Sequence, residues 1–114
     1  MKMQAKNARD GAQLISFQGD LDFHCASELR SELMKLAERQ ASKIAVDFKK
    51  VNYIDSSGLA AFVELFQSMK RYGGKLVLYN LTDGVRSVFE VAKLDSIFRL
   101  ARSEEEALSL VSTS

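Results

Sequence analysis

Apolar and polar residues alternate with a period of two in the first six residues of the chain, MKMQAK. That alternation predicts a β-strand with one buried face, and its lysines suit a strand at the edge of a sheet. The segment AQLISFQG (12–19) predicts a second strand. Two almost wholly apolar runs, KIAVDF (43–48) and KLVLY (75–79), are typical of strands buried on both faces, and SIFRL (96–100) predicts a short last strand.

Between the strands, apolar residues recur at intervals of three and four, the spacing of an amphipathic helix. This spacing predicts helices over about residues 26–40, from the double serine at 56 and 57 to the glycines at 73 and 74, over residues 82–92, and over residues 103–111. Thr82 or Asp83 is a candidate N-cap for the third helix, and Ser103 with Glu106 forms a capping box for the fourth.

The predicted order of elements is therefore β, β, α, β, α, β, α, β, α. Strands that alternate with helices indicate a mostly parallel sheet, because parallel neighbours need a crossover connection. The sequence predicts an α/β fold in which about four helices pack on a sheet of four or five strands.

Length and charge narrow the functional classes. A chain of 114 residues fits a single domain, which we expect to span residues 1–114. Its net charge of +1, from 16 basic and 15 acidic side chains, gives no electrostatic case for nucleic-acid binding. No apolar run is long enough to span a membrane, and the first residues lack the apolar core of a secretory signal.

Cysteine and histidine usage narrows the classes further. The lone Cys25 excludes an internal disulfide and suits the reducing cytoplasm. A single cysteine and a single histidine exclude a Cys/His zinc site. We therefore expect a cytoplasmic protein with no metal and no cofactor, and by default a monomer.

The segment NYIDSSGLAAF (52–62) places two serines between an aspartate and a glycine, where a strand gives way to a helix. The simplest interpretation is helix capping. Asp55 or Ser56 can accept a hydrogen bond from a free N–H group of the first turn, which is worth about 1 kcal/mol. Because one cap is sufficient, capping explains one of these residues and does not explain the whole group.

Two chemical interpretations also apply to the serines. A hydrolase nucleophile at Ser57 would need a glycine two residues earlier and a base, but that position holds Asp55 and the only histidine is His24. A phosphorylation site fits better, because the free N–H groups and the dipole of a helix N-terminus favour negative charge. A phosphate adds about −1.5 to −2 charges, and its effect would fall on whatever docks beside the helix.

Helical spacing also separates two faces of this helix. The predicted core face contains Leu59, Phe62, Val63, Phe66 and Met69. The face that begins at Ser57 continues through Ala60, Ala61, Glu64 and Ser68. This second face is small and mostly polar, and Gly58 adds no bulk beside it. It predicts a surface that another protein can approach closely.

Three segments resemble the STAS domain and, within that family, the anti-sigma factor antagonists of bacterial partner-switching systems. They are GDLD (19–22), VDFKKVNYIDSSGLAAF (46–62) and GGKLVLYNLTDGVRSVFEVAKLDSIF (73–98). The resemblance covers residues 12–110, nearly the whole chain. It implies a mixed sheet of four or five strands with helices mainly on one side, and a binding protein without catalytic residues of its own.

The resemblance also implies a mechanism. The unphosphorylated antagonist binds an anti-sigma factor that is itself a serine kinase of the histidine-kinase-like ATPase fold, and so frees the sigma factor. Phosphorylation of one serine breaks the complex, and a metal-dependent phosphatase of the PPM type resets it. The phosphorylated serine of the family matches Ser57. The partner-binding residues that we expect are Asp22, Asp55, Ser56, Gly58, Ala60, Ala61 and Glu64.

Two positions depart from the family pattern. Asp20 stands where glutamate is commoner. Lys93 stands where many members have a glycine, which would close the third helix in the left-handed conformation, so Lys93 predicts a different helix end. STAS domains also serve as permanent subunits of other assemblies, such as lipid-transport ABC complexes, and the sequence leaves that alternative open.

Overall fold

The computed structural model describes residues 1–112, which form five strands and four α-helices in the predicted order. The strands are β1 (Lys2–Asn7), β2 (Gln13–Leu21), β3 (Lys43–Ile54), β4 (Lys75–Tyr79) and β5 (Arg99–Ala101). The helices are α1 (Ala26–Glu38), α2 (Ser56–Arg71), α3 (Asp83–Val91) and α4 (Glu104–Ser112). Within residues 1–112, no helix combines the length and the apolar character needed to cross a membrane.

The strands form one sheet in the order β1-β2-β3-β4-β5. β1 is an edge strand that runs antiparallel to β2, and all the other neighbours are parallel. α1, α2 and α3 are the crossovers that parallel pairing requires. The prediction of a mostly parallel, mixed sheet is confirmed. β3 extends well beyond the predicted residues 43–48, because its second half continues to pair with β2 as far as Ile54.

Alternate residues of the central strands face two separate cores. Ile44 and Val46 of β3 belong to the larger core, which contains side chains of α1, α2 and α3. Ala45 belongs to a smaller core with α4 on the other face of the sheet. Within the larger core, the ring of Phe62 in α2 lies 5.2 Å from that of Phe48 in β3. This packing fixes α2 against the sheet, with three helices on one face and one on the other.

The buried face of α2 differs from the predicted one. Leu65 is fully buried, whereas Val63 and Phe66 are only partly buried. The reason is that α2 packs against α1 as well as against the sheet, as the contact between Ser68 of α2 and Met34 of α1 illustrates. Burial therefore extends around the helix beyond a single apolar stripe.

α1, α2 and α3 end in the same way, with one residue in the left-handed conformation. In α3 that residue is Lys93, with φ of 60°, and it is followed by a hydrogen bond from the Leu94 N–H to the Phe89 carbonyl (2.8 Å). Gln40 and Gly73 occupy the equivalent positions after α1 and α2, with φ of 54° and 78°. The expectation that Lys93 changes the helix end is therefore wrong. The hydrogen bonds of this cap outweigh the steric cost of its side chain.

We expect Lys93→Gly to stabilise the protein by about 0.5–1 kcal/mol. A left-handed non-glycine residue costs about 1–2 kcal/mol, and the greater freedom of glycine in the unfolded chain offsets part of that gain. Urea unfolding should show a higher midpoint with an unchanged m-value. The matched control is Gly73→Ala, where no atom lies within 4 Å of the new Cβ, so only the backbone cost should appear. A Lys93→Gly protein less stable than wild type would show that the lysine side chain itself stabilises the fold.

Candidate functional site

The DSSG segment lies at the carboxyl edge of the sheet, where β3 ends and α2 begins. Ile54, the last residue of β3, pairs with Leu21, the last residue of β2. The backbone N–H of Asp55 donates to the carbonyl of Leu21 (3.3 Å). The first turn of α2 therefore lies directly beside the β2–α1 loop, residues 22–25.

Asp55 joins these two segments through both oxygens of its carboxylate. Its Oδ1 accepts hydrogen bonds from the backbone N–H groups of Ser57 (2.9 Å) and Gly58 (3.1 Å), so Asp55 is the N-cap of α2. Its Oδ2 accepts a hydrogen bond from the backbone N–H of Phe23 in the β2–α1 loop (3.1 Å). One side chain thus both starts the helix and holds the neighbouring loop against it.

Because Asp55 is the cap, the two serines are not needed for capping. Ser56 is exposed and Ser57 is partly exposed, at the first two positions of α2. Within residues 1–112, neither serine hydroxyl has a hydrogen-bond partner. Both hydroxyls stand at the positive end of a helix of 16 residues, where an attached anion is favoured.

Two of the expected partner-binding residues are buried instead. Ala61 is 4% exposed and belongs to the larger core. Gly58 is also buried, and a Cβ on it would lie 2.4 Å from the carbonyl oxygen of Leu21 and 2.8 Å from Ile54 Cγ1. The expectation that Gly58 and Ala61 belong to a docking surface is therefore wrong, because both lie where α2 meets the end of β2 and the core.

Of the other partner-binding residues expected on α2 after its first turn, Ala60 is exposed and Glu64 is ion-paired. Arg30 of α1 contacts Glu64 through two hydrogen bonds, from Nε (2.7 Å) and from Nη2 (2.6 Å). These hydrogen bonds, reinforced by the carboxylate charge, raise the pKa of the Arg30 guanidinium. The face is thus narrower than predicted, and at Glu64 it presents a paired charge.

Asp22 lies at the same edge of the sheet as Asp55. Its Oδ1 accepts a hydrogen bond from the backbone N–H of His24 (3.0 Å), and its carbonyl accepts one from the N–H of Cys25 (3.1 Å). The structure therefore brings Asp22, Asp55 and the two serines into one region at this edge of the sheet. The imidazole Nδ1 of His24 lies 3.4 Å from Asp22 Oδ1, and no hydrogen bond joins His24 to Ser57, so nothing favours a serine–histidine nucleophile.

A family model for the STAS domain matches residues 4–107 of the chain. The chain belongs to the STAS domain family. Among STAS proteins that it resembles, the anti-sigma-B factor antagonist of Bacillus subtilis (strain 168) is 34% identical over 91 residues, which cover 80% of this chain and 83% of that protein.

Solved STAS structures share the fold. An anti-sigma factor antagonist from Mycobacterium paratuberculosis is similar with a TM-score of 0.89 at 19% identity, covering 98% of this chain and 94% of that one. The anti-sigma factor antagonist SpoIIAA in its unphosphorylated form has a TM-score of 0.75 at 22% identity, and the match covers 99% of this chain and 100% of that one. The phosphorylated form of SpoIIAA, from Bacillus, has a TM-score of 0.73 at 24% identity, and the match covers 96% of this chain and 99% of that one. At these identities the likeness confirms the STAS fold.

The sequence did not predict three features of this STAS site. Phe23 in the β2–α1 loop is 67% exposed, and Tyr53 near the end of β3 is 51% exposed. Arg30 pairs with Glu64 across 34 residues of sequence. The only sequence signal for Phe23 was an aromatic residue directly after GDLD, and that signal does not distinguish an exposed ring from a buried one.

Proposed function

We propose that this STAS domain is an anti-sigma factor antagonist, a cytoplasmic regulator of transcription whose unphosphorylated form binds an anti-sigma factor and releases a sigma factor. The observation that supports this most directly is the unpartnered Ser57 hydroxyl at the N-terminus of α2, beside a cap that Asp55 already provides. The match to the Bacillus subtilis anti-sigma-B factor antagonist, over 80% of the chain, supports the same role. In this proposal the protein binds and is phosphorylated, and it catalyses nothing itself.

The proposed phosphorylation site is Ser57. Ser57 is partly buried in the first turn of α2, beside the Asp55 cap that also holds the β2–α1 loop, whereas Ser56 is exposed. A phosphate on Ser57 therefore stands within the proposed docking surface. The helix N-terminus offsets the new charge within the domain itself. A partner that packs closely over Ser57 and Ala60 has to desolvate the phosphate, and that penalty breaks the complex.

The proposed partners are two enzymes. One is an anti-sigma factor that is also a serine kinase of the histidine-kinase-like ATPase fold, which binds the unphosphorylated surface and phosphorylates Ser57. The other is a PPM-type phosphatase, which removes the phosphate. The contact surface in this proposal consists of Ser57 with Asp22, Asp55, Ser56 and Ala60, and it extends along α2 to Glu64, about two turns further on.

The experiment that tests this function has two steps. The wild-type protein is first used to capture partners from its native cell, and we expect a small histidine-kinase-like ATPase. That ATPase, purified, is then incubated with the protein and Mg-ATP. We expect phosphate on wild type and on Ser56→Ala, and none on Ser57→Ala, as mapped by mass spectrometry.

Two outcomes would contradict the proposal. Phosphate incorporated at Ser56 and not at Ser57 would show that the regulatory phosphorylation site is Ser56. Capture of a transporter ATPase in a complex that survives incubation with ATP would instead support a permanent subunit of a lipid-transport assembly.

A further inference from the structure

Two exposed rings stand next to the first turn of α2. Phe23 is 67% exposed, and its ring centroid lies 4.0 Å from that of His24 at an interplanar angle of 31°. Aromatic rings contribute large areas to interfaces, where phenylalanine is enriched together with tyrosine and tryptophan. The Phe23–His24 pair is therefore an exposed aromatic contact area beside the proposed phosphorylation site.

The loop that presents these rings is already ordered. The backbone N–H of Phe23 donates to Asp55 Oδ2, that of His24 to Asp22 Oδ1, and that of Cys25 to the Asp22 carbonyl. Because each consecutive N–H group has a partner, binding would not incur the entropic cost of ordering the loop. The backbone that carries the Phe23 ring is thus held in place by the same Asp55 carboxylate that caps α2.

The surroundings of the rings are acidic. No lysine or arginine occurs between Arg9 and Arg30 or between Lys50 and Lys70, and these two segments form this edge of the site. Arg30 itself is paired with Glu64. Asp20 and Asp22 stand on either side of Leu21 at the end of β2, and Asp20 is exposed. Carboxylates therefore flank the exposed rings on the segments that form the site, and the lysines of the neighbouring strands, Lys2 and Lys50, pair with Gln18, further back along β2.

We propose that the Phe23–His24 pair is the recognition anchor of this protein for its anti-sigma factor. The pair enters an apolar pocket on the ATPase, and arginine or lysine side chains at the rim of that pocket face Asp20 and Asp22. This inference rests on the proposed function and adds a division of roles within one surface. The rings give affinity and partner specificity, and Ser57 gives the switch. Within this surface Asp55 also acts as a positioning residue, because its carboxylate holds the backbone of Phe23.

The test uses the ATPase that wild type captures, purified, as the titrant in calorimetry. Phe23→Ala should weaken binding by roughly tenfold or more, in line with loss of a central aromatic anchor. Phe23→Leu should recover most of the affinity, because it restores apolar volume. The matched control is Val91→Ala, which removes a side chain that is 85% exposed at the end of α3, and its affinity should equal that of wild type.

The Asp55→Asn variant distinguishes the two roles of Asp55, which are to hold the backbone of Phe23 and to cap α2. Asparagine caps helices as well as aspartate does, so α2 keeps its cap, but its amide nitrogen cannot accept from the Phe23 N–H. We expect faster hydrogen exchange at the Phe23 amide, unchanged exchange at Ser57 and Gly58, and weaker binding. In the Phe23→Ala background, Asp55→Asn should cost little further affinity, because the two residues act as a unit.

The outcomes distinguish this inference from the proposed function. If wild type binds the ATPase and phosphorylation of Ser57 abolishes binding, but Phe23→Ala binds like wild type, the anchor is wrong and the function stands. If wild type captures no such ATPase, the proposed function fails and the anchor fails with it. If Phe23→Ala instead abolishes self-association seen by light scattering, the rings join two copies of this chain and the anchor is again wrong.

Discussion

Ser57→Asp should bind the anti-sigma factor about a hundredfold more weakly than wild type, or worse. The substitution places a carboxylate where a close-packing partner would have to desolvate it, next to the carboxylate of Asp55. Desolvation of an unpaired charge costs several kcal/mol, and about 2.7 kcal/mol corresponds to a hundredfold change in Kd. Titration of the purified ATPase into each variant measures the effect directly.

The control for this prediction is Ser57→Asn, which adds nearly the same volume without the charge. It should lose much less affinity than Ser57→Asp. Thermal unfolding should show the Ser57→Asp protein to be as stable as wild type to within about 1 kcal/mol, because an acidic residue in the first turn of a helix is favoured by its dipole. Equal affinities for the aspartate and asparagine variants would show that size, and not charge, operates the switch.

The architecture could be predicted from periodicity because its elements are locally consistent. β1 shows the alternation of an edge strand, although within it only Met3 is partly buried and Ala5 is exposed. The apolar runs of β3 and β4 face a core on each side of the sheet. The order of strands and crossover helices then left a mostly parallel sheet as the consistent arrangement. In the capping box, the Ser103 hydroxyl accepts from the Glu106 N–H as predicted (3.1 Å).

The details of the site depend on contacts between distant residues, which periodicity does not show. The Asp55 carboxylate was a candidate cap, but its second oxygen also accepts a hydrogen bond from the N–H of Phe23, 32 residues earlier. Ala61 was assigned to the surface because the spacing from Ser57 does not reveal that Ala61 faces the larger core. The left-handed conformation of Lys93 was unexpected because the identity of the residue shows only its steric cost. The hydrogen bond from the Leu94 N–H to the Phe89 carbonyl, which compensates for that cost, is seen only in the folded chain.

These distant contacts give the site a rigid base. Gly58 is the point of closest approach, because its missing side chain allows the first turn of α2 to lie against the carbonyl of Leu21. The Asp55 N–H bond to the same carbonyl, and the Asp55 bond to Phe23, depend on that approach. The glycine of the DSSG motif therefore has a packing role, and through packing it sets the relative positions of Ser57 and the β2–α1 loop.

We expect Gly58→Ala to destabilise the protein by about 2–3 kcal/mol, which is a large share of the stability of a domain of this size. The new Cβ would lie 2.4 Å from the Leu21 carbonyl oxygen and 2.8 Å from Ile54 Cγ1, and since the nearer atom is backbone, α2 has to move away from β2. In a thermal melt the midpoint should fall by about 10 °C. Binding of the anti-sigma factor should weaken as well, since the movement separates Ser57 from the loop.

Gly84→Ala provides the matched control, because Gly84 also lies in the first turn of a helix, α3, and no atom lies within 4 Å of its added Cβ. There the substitution should be neutral or stabilise by up to about 1 kcal/mol, since alanine loses less conformational entropy than glycine on folding. If Gly58→Ala were as stable as Gly84→Ala, the contact between α2 and the end of β2 would have to be loose. Asp55 would then no longer hold Phe23 and Ser57 in a fixed relation, and the separation of anchor and switch on one rigid surface would lose its structural basis.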